Sequence, residues 1–164
     1  MQTHPYDKLT LGNGASFIFT PCPGTKGVDI HSSVSQLKAA GAEAIISVMY
    51  DSELVKLSAN SLQSACSESG INWFQLPILD NAAPNNDFET AFSHHLKEII
   101  NILTNQGTVA VHCKGGSGRT GLVIGLLMIA LGFNKQDVIN QVQKIRPKAL
   151  INPLQLSYFN TFTQ

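Results

Sequence analysis

The chain has 164 residues, enough for one domain with its own core, and its 43% hydrophobic and 13% charged residues mark a globular rather than a disordered sequence. Lysine plus arginine equals aspartate plus glutamate at 11 each, so no global field recruits nucleic acid or an acidic membrane, and any anion site must be built locally. Cysteines at 22, 66 and 113 show no CxxC or CxxH spacing, which argues against a zinc site or a secreted disulfide framework and for a reducing compartment.

In chain order, the first residues lack a basic region followed by an apolar stretch, so no signal peptide is expected. Phe17-Ile18-Phe19 reads as a strand running into the turn Pro21-Cys22-Pro23-Gly24. Ser33 and Gln36 have capping-box spacing, which predicts a helix from Ser33 to Ala40 stopped by Gly41. The β-branched run from Ala44 to Met49 predicts a strand. A helical stretch follows from about Glu53 to Ser69, with a break near Asn60 and an end at Gly70. Asn72 to Leu76 is the next expected strand, leading into the loop Pro77-Ile78-Leu79-Asp80-Asn81.

Phe88, Phe92, His95, Leu96, Ile99 and Leu103 recur at helical spacing, and Asn86 with Glu89 has the separation of a cap. His95 falls on the apolar stripe and is expected in the core. Thr108 to His112 reads as a buried strand. The apolar run Leu122 to Phe133 falls short of the ~20 residues a membrane span needs, so it predicts a buried helix. A helix from Lys135 to Ile145 and one capped by Asn152-Pro153 close the chain. Strands alternating with helices, and no repeat or boundary signal, predict one α/β domain over residues 1–164. Its sheet should be central and largely parallel, flanked by helices, with ligands at the carboxyl ends of the strands. The protein is expected to be cytoplasmic.

The segment after the strand ending at His112 is Cys113-Lys114-Gly115-Gly116-Ser117-Gly118-Arg119-Thr120-Gly121. Its glycines allow a tight turn with inward N–H groups, an anion nest, and the following helix adds the positive end of its dipole. A cysteine at the start of such a loop sits where the thiolate, the nucleophilic form, is favoured. Arg119 closes the loop with a planar, two-pronged donor suited to phosphate oxygens. Each part favours a tetrahedral dianion held against a sulfur nucleophile.

This segment resembles the signature of the cysteine-dependent protein tyrosine and dual-specificity phosphatases: Cys, five residues, Arg, then Ser or Thr. Asp80 in Leu76-Pro77-Ile78-Leu79-Asp80 is similar to the family's general-acid loop, and Gln155-Leu156-Ser157-Tyr158-Phe159 to its last helix. With Pro21-Cys22-Pro23-Gly24, the whole is most like the kinase-associated phosphatases (the cyclin-dependent kinase inhibitor 3 family). The resemblance implies a phosphatase-type fold and hydrolysis of phosphotyrosine, with phosphoserine and phosphothreonine as further candidates, through a phosphocysteine on Cys113. Lys114, Gly115, Gly116, Ser117, Gly118 and Arg119 would bind the phosphate, Asp80 would be the acid, and Thr120 would steady the leaving thiolate. The expected partner is a phosphorylated protein, with no metal or other cofactor, no nucleic acid and no membrane.

Other readings stand beside these. His112 is expected to be structural beneath the loop, with some influence on the cysteine. Gln155 either positions the hydrolytic water or is an exposed polar residue; relatives carry Gln-Thr where this chain has Ile151-Asn152. Thr120 can cap the helix as well as serve the cysteine. Asp80-Asn81 is also an ordinary turn former. Lys114 and Lys148 are candidates for substrate electrostatics. Cys22 and Cys66 read as small buried residues, or as disulfide partners of an oxidised Cys113. The functional alternatives are a phosphoinositide or small-metabolite phosphatase, a phospho-binding pseudo-phosphatase module, and a sulfur- or arsenate-handling enzyme.

Overall fold

Five strands share one sheet, and the three most central are buried along nearly their whole length. The computed structural model describes residues 2–163. Strands β1 (Asp7–Thr10), β2 (Ser16–Thr20), β3 (Ala42–Ser47), β4 (Asn72–Gln75) and β5 (Thr108–His112) lie in the order β1-β2-β5-β3-β4. All neighbours are parallel except β1, which is antiparallel to β2. β2 and β5 are buried at every position, as expected of strands covered on both faces. β1 escapes a sequence reading because Asp-Lys-Leu-Thr has no apolar run; it is an exposed edge strand with only Leu9 half-buried.

The register places Thr20, His112, Ser47 and Gln75 side by side at the carboxyl edge of the sheet. Around the sheet run α1 (Ile30–Ala39), α2 (Asp51–Lys56), α3 (Leu62–Ser69), α4 (Asn86–Thr104), α5 (Gly118–Ala130), α6 (Lys135–Ile145) and α7 (Pro153–Thr161). α4 and α5 both lie against β5, α1 packs on α3, and α5 on α6 and α7. α5 is buried continuously from Arg119 to Ile129. At about 1.5 Å per residue its 13 residues fall well short of a bilayer core. Among the described residues no helix is long and apolar enough to cross a membrane.

Several boundaries differ from the sequence reading, each for a local reason. α1 starts at Ile30 and not Ser33, because Asp29 is the cap: its carboxylate accepts from the Ser32 N–H at 2.8 Å. Ser33 is instead buried, its hydroxyl donating to the Val28 carbonyl. The stretch from Glu53 starts two residues earlier, at Asp51, but divides near Asn60 as expected, into α2 and α3 separated by Ser58 in the left-handed region (φ 56°), and α3 ends on Gly70 (φ 73°) as expected. Asn85, not Asn86, caps α4. β3 begins and ends two residues before the predicted strand, so Val48 and Met49 follow it as buried loop. His95 is half-buried, its ring 5.1 Å from that of Phe74, and not fully in the core.

Candidate active site

Cys113 follows β5 directly and is 3% exposed. Its Sγ accepts the Gly116 N–H at 3.3 Å and the Thr120 hydroxyl at 3.2 Å. Both donors are aimed at the sulfur from within its own loop and the helix that follows. Thr120 lies inside α5, whose cap is Ser117, so its hydroxyl serves the sulfur and does not cap the helix.

Of the loop glycines, Gly116 has the conformational requirement. Its φ is +85°, and a Cβ there would come within 2.6 Å of the Thr20 backbone. Gly115 faces open space and Gly118 opens α5. Gly121 meets a different constraint: a Cβ would lie 2.4 Å from that of Ala149, so glycine lets α5 approach the turn before α7.

Arg119 sits in the first turn of α5 with its side chain only 1% exposed. Glu53 of α2 grips it with both oxygens, from Nη1 at 2.7 Å and Nη2 at 2.9 Å. Nη1 also donates to the carbonyl of Ile78 at 3.1 Å. Nε is buried and has no hydrogen-bond partner among the described residues. A guanidinium with one buried N–H left open beside a cysteine and a loop of backbone N–H groups is a site awaiting an oxyanion. Hydrogen bonds from Arg119 hold the Glu53 carboxyl below the usual range, against the effect of burial. Burial opposes the Arg119 charge, but Glu53 and the neighbouring cysteine and aspartate outweigh it and raise its pKa. Sequence reasoning missed Glu53: an acid in the first turn of a short helix looks like any other, and its partner is far along the chain.

Beneath the loop, His112 is fully buried between two partners. Its Nδ1 lies 3.1 Å from the Cys113 carbonyl, which only accepts, so Nδ1 carries the proton. Nε2 then accepts from the Ser47 hydroxyl, and Ser47 Oγ accepts from the indole N–H of Trp73 at 2.9 Å. Burial depresses the imidazole pKa to about 4, opposed by the bond to Cys113, so the ring is neutral near pH 7. Trp73 and Ser47, from neighbouring strands, are therefore part of the support for the loop.

Arg146 was also missed. From the end of α6 its Nε donates to the Gly116 carbonyl at 3.0 Å, Nη1 to Asp7 at 2.6 Å and Nη2 to the Phe19 carbonyl at 3.3 Å. It fastens the outside of the phosphate loop to β1 and β2.

Asp80 lies on the cavity wall, 61% exposed, with Oδ1 3.6 Å from Arg119 Nη2. The backbone on both sides of it is tied down. Ile78 is bonded to Arg119, and Gln155 Nε2 donates to the Ala82 carbonyl at 3.2 Å. Asn152 Nδ2 reaches the Asn81 carbonyl at 3.4 Å. Gln155 is thus buried, which corrects the reading of an exposed polar residue. Asp87 is turned elsewhere and accepts from the Tyr50 hydroxyl at 2.9 Å.

Cys113, Lys114, Gly115, Ser117, Gly118, Arg119, Asp80, Gln155 and Lys148 all border one cavity of about 780 Å³. Cys22 is buried close enough to Cys113 for their charges to interact, and burial together with that neighbour pushes its thiol up to about 12. The Cys22 N–H donates to the Lys114 carbonyl at 3.1 Å. Burial alone pushes the Cys66 thiol up to about 12. No group of three or more His, Cys, Asp or Glu among the described residues is arranged to hold a metal ion.

A largely parallel sheet, a cysteine at the end of its central strand and a buried arginine at the following helix define the class: the chain belongs to the Swiss Army Knife protein DSP-PTPase phosphatase domain family, whose model matches residues 29–156. Among curated relatives it is similar to the cyclin-dependent kinase inhibitor 3 of Homo sapiens, 26% identical over 147 residues, spanning 85% of this chain and 68% of that one. It is also similar to the dual specificity protein phosphatase CDC14AB of Danio rerio, 33% identical over 89 residues, or 54% of this chain. That match spans only 14% of the CDC14AB length. The fold is that of kinase-associated phosphatase solved with its catalytic cysteine replaced by serine, with a TM-score of 0.84, 21% identity, and 97% and 93% of the two chains covered.

Proposed function

We propose that this protein is a phosphoprotein phosphatase that hydrolyses phosphotyrosine, and phosphoserine or phosphothreonine alongside it, through a phosphocysteine intermediate. The observation that carries this reading is the pairing of Cys113 Sγ, held by two donors, with a buried Arg119 that borders the same cavity and whose Nε has no partner among the described residues.

In the first step the Cys113 thiolate attacks phosphorus and the P–O bond to the substrate breaks. Loop N–H groups and Arg119 hold the phosphoryl oxygens, which carry the developing charge. Asp80 in its acid form gives its proton to the departing oxygen. In the second step Asp80, now a carboxylate, takes a proton from water as the water oxygen attacks phosphorus. The S–P bond breaks, inorganic phosphate leaves, and the Thr120 hydroxyl steadies the returning thiolate. Glu53 fixes the guanidinium plane, so Arg119 meets the transition state without reorganising. All three cysteines are free thiols, in keeping with a reducing, cytoplasmic setting.

The test is metal-free hydrolysis of p-nitrophenyl phosphate and of matched phosphotyrosine and phosphoserine peptides. Cys113→Ser should abolish turnover of all of them, and Asp80→Ala should lower peptide turnover by about 10²- to 10⁴-fold. Turnover that survives Cys113→Ser would sink the mechanism. Hydrolysis of phosphoinositides but of no peptide would instead favour a lipid substrate.

A further inference from the structure

Beyond the phosphate loop the cavity continues, and its charge is one-sided. A volume of about 780 Å³ is that of a pocket for a drug-sized ligand, far more than one phosphoryl group fills. Three lysines border it from three separate segments: Lys26 from the turn after β2, Lys114 from the phosphate loop, and Lys148 from the turn before α7. All three are exposed, and none makes an ion pair or a side-chain hydrogen bond among the described residues. Both neighbouring arginines, by contrast, are paired with carboxylates, Arg119 with Glu53 and Arg146 with Asp7. Among the described residues Asp80 is the only carboxylate bordering the cavity. On a chain whose charges cancel overall, 11 against 11, this is a local excess at one opening. Its position raises the local concentration of anions at the cavity.

Lys114 adjoins the cysteine and answers the scissile phosphate. Lys26 and Lys148 lie outside the loop, so a bound phosphate leaves them free for another group. We infer that Lys26 and Lys148 form a second anion subsite, and that the preferred substrates are phosphopeptides with an acidic side chain or a second phosphate beside the scissile one. This rests on the phosphoprotein reading above. A peptide is favoured over a membrane because the lysines converge on a cavity, whereas a bilayer is met by cations spread over an open surface.

The experiment compares three phosphotyrosine peptides that differ only in flanking residues, glutamate, alanine or lysine, in the wild type and in Lys26→Ala, Lys148→Ala and the double variant. Each rate is normalised to p-nitrophenyl phosphate in the same variant, and thermal melts verify folding. The wild type should favour the glutamate peptide over the alanine peptide by about 5- to 20-fold in kcat/KM at low salt. The preference should reside in KM, shrink on going to 0.5 M salt, and collapse in the double variant. Equal rates on the glutamate and alanine peptides, or a preference that survives the double variant, overturn the subsite while leaving the phosphatase reading intact. Absence of wild-type turnover on p-nitrophenyl phosphate and every peptide overturns both. A short-chain phosphoinositide turned over faster than any peptide also overturns the peptide assignment.

Discussion

His112 touches no substrate, yet it links the acid stability of the whole protein to the phosphate loop. Its ring stays neutral in the fold down to about pH 4, whereas in the unfolded chain it takes a proton near 6.5. Between those values the unfolded state binds more protons, so folding stability is complete above about 6.5 and declines as pH falls toward 4. The loss attributable to this one group is on the order of 3 kcal/mol. Burial lowers His4 and His95 as well, so they add to the same slope. The part belonging to His112 is isolated by urea unfolding at pH 7.5 and pH 5 in the wild type and His112→Asn. The variant should be less stable at pH 7.5 and show a visibly shallower decline. An identical decline in both would mean that the slope comes from other groups. At this scale Cys113, Arg119, Thr120 and the glycines were legible because their types and spacing name the chemistry locally. Glu53 and Arg146 were not, since an ion pair between distant segments leaves no mark in either segment.

Elements were legible where the apolar pattern is strong and local. The strand at 108–112 and the helix at 135–145 match the sequence reading end to end, and Asn152 caps α7 as its Asn-Pro pair predicts. β1 and the start of α1 were not, because an edge strand needs no apolar run and two candidate caps lie a few residues apart at 29 and 33. The strand order also stayed hidden, being decided by tertiary packing. The segment carrying Asp80 is the loop that its prolines predict, but its tethers were not legible: carbonyl contacts to Arg119 and to the head of α7 hold it. That tether yields a prediction. Gln155→Ala releases Ala82, and turnover of a phosphoserine peptide, whose leaving oxygen needs the proton, should fall roughly ten-fold. p-Nitrophenyl phosphate, with a good leaving group, should lose much less. An equal loss on both, with accumulation of phosphocysteine, would instead assign Gln155 to the hydrolytic water.

At the scale of the molecule, the loop between β5 and α5 is clamped from outside by segments near both ends of the chain. Thr20 sits against Gly116 too closely for any side chain, and Arg146 joins Gly116 to Asp7 and Phe19. Arg146→Ala should cost about 1–3 kcal/mol through the unpaired groups it leaves. This is a fall in Tm of several degrees, with weakened vanadate inhibition as the loop loosens. A lower Tm with unchanged vanadate affinity would separate the strut from the loop. The same wiring has a consequence during synthesis. When Cys113 is joined to the growing chain, the residues that brace its loop and the segment of Asp80, from Arg146 to Gln155, have yet to be made. The contacts on Gly116 and Ala82 can therefore close only after the last helix has been made, so the loop reaches its folded geometry late.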